Sequence, residues 1–244
     1  MVTWENTFDE VARARPRVAI LPIGSIEQHS HHLPLATDYL IAQALGRLIA
    51  ERLDDCYLLP ALPFSCSHEH GDFAGTVWLR PATLAAVIED LVGSLGQHGI
   101  TRVALVVAHG GNWIIKPTVR ELNLARTGVR VIFTTPGLSG AEQGALAELH
   151  AGADETSLLL HLRPELVKLG ARRPDFAPRQ GREFLDYVGM AALSPAGLWG
   201  APGRASAAEG ARLLEQAASR AAEYIRDTLE EMDRLLEAGP EVAG

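Results

Sequence analysis

The feature that most constrains this chain is the stretch from Val18 to Asp38, VAILPIGSIEQHSHHLPLATD. It opens as an apolar run, Val18 to Ile23, breaks at Gly24, and then offers Glu27, His29, His31, His32 and Asp38 within a few residues of one another. A short continuous apolar run reads as a strand buried on both faces. A glycine turn followed by ligand-type side chains reads as a site at that strand's carboxyl end. Carboxylate and imidazole together suit zinc, manganese or iron. Glu27 and His29 are two apart, so they share a face if the backbone stays extended there. Asp38 follows a loop carrying Pro34 and opens a helix, where it could also act as a cap. The metal reading rests on Glu27, His29 and Asp38 occurring together, with more ligand types downstream.

The remaining periodicities form one pattern. Leu40, Ile41, Ala44, Leu45, Leu48, Ile49 and Leu53 have helical spacing and predict a helix from Asp38 to about Leu53. A second strand is expected from Tyr57 to Leu62, ended by Pro63, and a short one from Val77 to Leu79. Pro81 opens a helix with Leu84, Val87, Ile88, Leu91, Val92 and Leu95 on one face, stopping at His98-Gly99. Val103 to Ala108 predicts a fully buried central strand. A helix from about Trp113 to Arg126, a strand from Val129 to Thr134 and a helix over Ala141–Leu149 follow. HAGADETSLLLHL is a loop turning into a helix around Thr156, and Ala207 to about Leu236 is a last long helix. Residues 171–205, rich in Pro, Gly and Arg, predict an irregular segment able to cover the site. Strands alternating with crossover helices imply an α/β fold, a three-layer α/β/α sandwich with a mostly parallel central sheet. In such folds Glu27 and His29 after one strand and His109 after another project from the same sheet edge.

With 244 residues, 47% of them hydrophobic, and no linker-like stretch, the chain is expected to form one domain over residues 1–244. The net charge of −8 is spread out and no basic patch carries interleaved aromatics, which argues against nucleic acid. MVTWENTFDE does not read as a signal peptide, and no apolar run reaches the ~20 residues of a membrane helix. Two cysteines, Cys56 and Cys66, give no disulfide framework and read as buried thiols, so a cytoplasmic setting is expected.

Three further clusters carry chemistry-bearing residues. His109 opens the turn AHGGN, where Gly110 and Gly111 let backbone approach a ligand and Asn112 can start the next helix. His150 and Glu155 lie in HAGADETS, near a helix amino end, where Glu155 could simply complement the helix dipole. Glu69 and His70, in SHEHGDFAGT, could bind substrate or support metal ligands. The glycine pair also fits a phosphate-binding turn, but no P-loop lysine follows.

Taken together, LPIGSIEQHSHHLPLATD, SHEHGDFAGT, AHGGN, HAGADETSLLL and GLWGAPGRASAAEG resemble the creatininase (creatinine amidohydrolase) family over nearly the whole chain. The resemblance implies an α/β sandwich holding a metal centre, often binuclear, that hydrolyses C–N bonds of amides in a homo-oligomer, a hexamer by family resemblance. It implies two divalent ions (Zn, Mn or Fe): Glu27, Asp38 and His109 on one, His29 and Asp38 on the other, with Asp38 bridging. Glu155 is the remaining ligand or an active-site carboxylate, and His150 the proton-transfer residue. Glu69, His70, Gly110, Gly111 and Asn112 are expected to bind substrate, a small amide or short peptide. There are departures: Ser30 and His31 stand where the pattern has Gly and Pro, and Ala108 and Ala201 also differ. Creatininases have a glutamate ligand at the position of Gly111 and a glutamate at that of Leu149. These argue against creatinine as substrate. The alternatives are a formamide deformylase, a mycofactocin-type precursor peptidase, which the short HAG-x-x-ETS element resembles somewhat more, and a degenerate non-catalytic binding relative.

Overall fold

A computed structural model describes residues 1–125, 127–137 and 148–238. The strands are β1 (Val2–Thr3), β2 (Val18–Ile23), β3 (Cys56–Leu58), β4 (Arg102–Val107) and β5 (Arg130–Thr134). They pair in the order β1-β3-β2-β4-β5, every pair parallel. The helices are α1 (Phe8–Ala14), α2 (Thr37–Ala50), α3 (Pro81–Gln97), α4 (Ile115–Leu124), α5 (Ala153–Leu162), α6 (Leu185–Leu193) and α7 (Ala207–Ala238).

Side-chain alternation along the two central strands builds the layers. Ile20 of β2 and Ala104 and Val106 of β4 enter a core with α2, α5 and α7. Ala19, Leu21 and Ile23 of β2, with Val103, Leu105 and Val107 of β4, enter the other core with α3 and α4. Both faces of the sheet are therefore dry, as the unbroken apolar runs require, and the expected three-layer α/β/α arrangement is what forms.

The connections out of β2 and β4 diverge. The chain leaves β2 into α2 on one face and leaves β4 into α4 on the other, while β2 and β4 are adjacent over Val18–Ile23 and Arg102–Val107. That divergence leaves a crevice at their carboxyl ends, where open α/β sheets bind ligands.

Element bounds differ modestly from the sequence pattern. The expected strand Tyr57–Leu62 shortens and shifts to Cys56–Leu58, with Leu62 making only a single bridge to Ile23. Val77–Leu79 contributes one bridge, Val77 to Ile26, rather than a strand. Gly99 has φ +79°, the left-handed cap expected after α3. The 171–205 segment is less irregular than its composition implies: it contains α6, broken at Gly189 (φ +73°). The helix expected over Ala141–Leu149 falls almost wholly outside the described residues. Cys56 and Cys66 are free and buried.

At the far end of the sheet, Asp233 of α7 pairs with Arg102 and with Arg130 (2.8 Å) at the starts of β4 and β5. All three side chains are about three-quarters buried or more, at 15–26% exposure. Asp233→Ala leaves two cations facing each other with no anion. It should cost about 1–3 kcal/mol in denaturant unfolding, short of a fully buried pair because the arginines can reach water. A midpoint unchanged from the parent protein would show that α7 needs no such tie.

Candidate metal centre

The site forms in the β2/β4 crevice. Gly24 ends β2, and a Cβ built on it would lie 2.5–2.7 Å from backbone atoms of Asp38 and Tyr39. Only glycine lets the strand exit touch the first turn of α2, and that contact brings Asp38 beside the Glu27 loop. Asp38 is not the helix cap: Ala36 holds that position, with no side-chain cap bond. Asp38 instead lies in the first turn, where the helix dipole favours its anion.

Glu27, His29, Asp38 and His109 are all buried. Asp38 sits between two imidazoles, with Oδ1 3.2 Å from His29 Nε2 and Oδ2 3.1 Å from His109 Nδ1. Glu27 Oε2 is 3.1 Å from His109 Nε2, and Glu155 Oε2 is 3.7 Å from His29 Nε2. His29 Nδ1 lies 3.1 Å from the Glu27 carbonyl, so Nδ1–H donates there and Nε2 faces inward, toward Asp38. Three sets each bring their ligand atoms within 4.8 Å of one another: Glu27, Asp38 and His109; His29, His150 and Glu155; and Glu27, His70 and His150.

Both Glu27 carboxylate oxygens, Asp38 Oδ2 and His109 Nε2 are shut off from solvent without a hydrogen bond. Desolvating acceptors costs several kcal/mol unless something positive compensates. A divalent cation fits this donor set, which combines carboxylates with imidazole. Without one, protons do the neutralising. Burial pushes the Glu27 carboxyl up, and likewise Glu155. Burial opposes a charge on His29, yet the carboxylates of Asp38 and Glu155 outweigh it and hold the ring at about 10. His109 is raised in the same way, with Glu27 as its main partner. Burial works against the Asp38 anion too, but His29 and His109 hold its carboxyl well below the usual range.

His150 is delivered by a loop tied to the 171–205 segment. Leu149 and His150 donate backbone N–H groups to the Trp199 carbonyl at 2.9 and 3.0 Å, and Trp199 N–H returns to the His150 carbonyl at 2.9 Å. The next residue, Ala151, has φ +53°, a strained conformation for a side chain with a Cβ. Its N–H donates to Glu155 Oε2 at 2.5 Å. Glu148 accepts from Ala153 N and Ala201 N, which caps α5 and ties it to the same segment. Thr156 and Ser157 cap nothing at α5: Thr156 Oγ1 lies 2.9 Å from His32 Nε2, and Ser157 Oγ accepts from Ser206 N. Burial pushes His150 well below 6.5 and His70 down to about 3, so both are neutral.

A cavity of about 980 Å³ opens over this centre. Asp38, Glu69, His70, His109, His150 and Glu155 line its floor, together with Gly110 and Gly111. Its wall is residues 182–190, including Arg182, Tyr187 and Met190, so the segment expected to cover the site does border it. A Cβ at Gly111 would fall 2.0 Å from Glu69 Oε1 and 2.5 Å from His109 Nε2. The Glu69 carboxylate thus occupies the space a side chain at 111 would need. Asn112, by contrast, does not line the cavity; its Oδ1 accepts from Cys66 N at 3.0 Å, a bond that holds two loops together. His31 is exposed, His68 lines the cavity with its ring tilted against Trp78 at 4.9 Å between centroids, His98 ends α3 and His161 is exposed on α5.

The family model described as creatinine amidohydrolase matches residues 2–225. This chain belongs to the creatininase family. It is 34% identical to the mycofactocin precursor peptide peptidase of Mycobacterium ulcerans (strain Agy99), over 86% of this chain and 85% of that protein. It is 28% identical to the creatinine amidohydrolase of Pseudomonas putida, over 93% of this chain and 95% of that one. A solved mutant creatininase of "Zn-Zn type" superposes with a TM-score of 0.78 at 28% identity, covering 93% of this chain and 97% of its own. The names of both relatives denote hydrolysis at a C–N bond, and this creatininase-family chain is a hydrolase of that class.

Gly24→Ala should cost about 1–3 kcal/mol, because backbone rather than a flexible side chain blocks the added methyl. Gly93→Ala, on the exposed side of α3 with nothing within 4 Å, is the control and should gain about 0.5–1 kcal/mol. Thermal unfolding of the two variants tests the contact; equal shifts would remove Gly24 as the hinge of the site.

Proposed function

We propose that this chain is a metal-dependent amidohydrolase whose substrate is a short peptide. The observation that carries the reading is the set of buried, unpartnered acceptors on Glu27, Asp38 and His109, beside a second imidazole and carboxylate set on His29 and Glu155. Glu27, Asp38 and His109 would hold one divalent ion. His29, Asp38 and Glu155 would hold a second, with Asp38 shared. Bound metal supplies a nucleophilic water at neutral pH and polarises the scissile carbonyl.

The chain's own residues supply the rest. His150 is neutral and its Nδ1 faces the Glu27 side, 3.8 Å from Oε1, so it can take a proton and pass it to the leaving nitrogen. Glu69 brings a carboxylate to the His109 side, 3.6 Å from Nε2, in the space left by Gly111. The cavity volume lies at the upper end for small-ligand sites, which suits a peptide better than a small ring amide. Among the described residues, Arg182 is the only arginine or lysine lining it, and it suits the carboxylate end of such a peptide. The peptidase relative at 34% identity supports this substrate class over creatinine. Zinc or manganese as the metal, a homo-oligomer as the assembly and a cytoplasmic setting belong to the same reading. None of the described helices is long and apolar enough to cross a membrane.

A chelator should abolish peptide hydrolysis and added zinc or manganese should restore it. His150→Ala should lower kcat about 10²–10⁴-fold with metal content intact, whereas Asp38→Asn should lose metal and activity together. A metal-free preparation that still hydrolyses amides overturns the reading. The protons held by Glu27, His29 and His109 must leave when metal enters, so affinity should rise with pH across the neutral range. Zinc titrations at pH 6, 7 and 8, with proton release followed in weak buffer, check the sign; pH-independent affinity contradicts it.

A further inference from the structure

Gln28 lies between two of the ligand candidates, yet its side chain points away from the cage and is 5% exposed. Every polar end of it is engaged. Its Oε1 accepts from Ser30 N–H at 2.9 Å, which fixes the amide's orientation. Ser30 itself has φ +55°, the turn that aims its N–H back at Gln28. The amide nitrogen is then 2.7 Å from His70 Nδ1. The Gln28 backbone carbonyl is 2.7 Å from His150 Nε2, and its backbone N–H donates to Thr76 Oγ1. Space for the amide comes from Gly197, whose Cβ would fall 1.9 Å from Gln28 Oε1.

These contacts fix where the imidazole protons sit. An amide NH₂ only donates, so His70 Nδ1 must accept and the His70 proton is on Nε2. That nitrogen lies 3.3 Å from Glu27 Oε1, outside hydrogen-bonding alignment. A carbonyl only accepts, so His150 Nε2 carries the proton and donates to Gln28 O. The amide nitrogen also lies 3.0 Å from this ring nitrogen, but the carbonyl is nearer. His150 Nδ1 is left as a lone pair turned toward Glu27 Oε1.

We infer that Gln28 is a positioning residue that sets both tautomers: its side chain keeps the His70 proton on Nε2, the nitrogen on the Glu27 side, and its backbone carbonyl keeps the His150 Nδ1 lone pair facing the reaction centre. It touches neither metal nor substrate and acts through the two histidines. This deepens the hydrolase reading above, but its first readout needs no activity.

The test is histidine tautomer assignment by long-range ¹⁵N–¹H NMR on the full, metal-free chain, with His70→Gln and His150→Gln variants to assign resonances. In the parent protein both rings should carry the proton on Nε2. In Gln28→Leu, His70 should become a tautomer mixture while His150, held by backbone, keeps its proton on Nε2. In Gln28→Glu, whose carboxylate cannot donate, the His70 proton should move to Nδ1. In metal-loaded Gln28→Leu, kcat for peptide hydrolysis should fall about 10–100-fold, the scale of losing an outer-shell orienting contact, with KM changed less than about 3-fold. A proton on His150 Nδ1 in the parent protein, or a His70 tautomer untouched by either Gln28 variant, overturns the inference. Should Gln28→Leu not fold, the parent spectrum and Gln28→Glu decide it alone. Correct tautomers in a chain that hydrolyses no amide would sink the function and leave this assignment standing.

Discussion

Three side chains define this protein's chemistry because each buries at least one polar atom that makes no hydrogen bond. Glu27, Asp38 and His109 present oxygen and nitrogen atoms to one another across about 3 Å, shielded from water. No folded chain retains so many desolvated acceptors without something positive among them. Much of the surrounding architecture serves to keep these groups together. The adjacency of β2 and β4 brings their two loops side by side, and the close approach at Gly24 lowers the start of α2 onto them.

A ring of supports then orients the groups from outside. The Glu27 carbonyl turns His29, Gln28 holds His70 and His150, and the Trp199 bridge fixes the His150 loop. Two of the turns involved, at Ser30 and Ala151, place ordinary residues in the left-handed region. Strain at such points persists only where neighbouring contacts overdetermine the backbone, and here the neighbours are the Gln28 amide and the Glu155 carboxylate.

Much of this was legible in the chain itself. The unbroken runs Val18–Ile23 and Val103–Ala108 announced strands covered on both faces, and ligand-type residues following each announced a shared edge. Other features were hidden because they depend on approach in space. Gln28 looks like a spacer between Glu27 and His29, and only its contacts with His70 and His150, 42 and 122 residues away, give it a role. Asn112 looked available to a substrate but bonds Cys66 across two loops. Glu69 fills the space above Gly111, an exchange between distant positions that neither local motif carries. The helix α6 was obscured by glycine and proline in its surroundings, and by its own break at Gly189.

The cavity's two sides have separate origins. Its floor comes from strand-end loops and the first turns of α2 and α5, whereas much of its wall is one strap within residues 182–190, kinked at Gly189. None of Glu27, His29, Asp38 or His109 lies in that strap. A fold divided in this way lets the eight lining positions of one short segment be redrafted without touching the residues that would hold the metal.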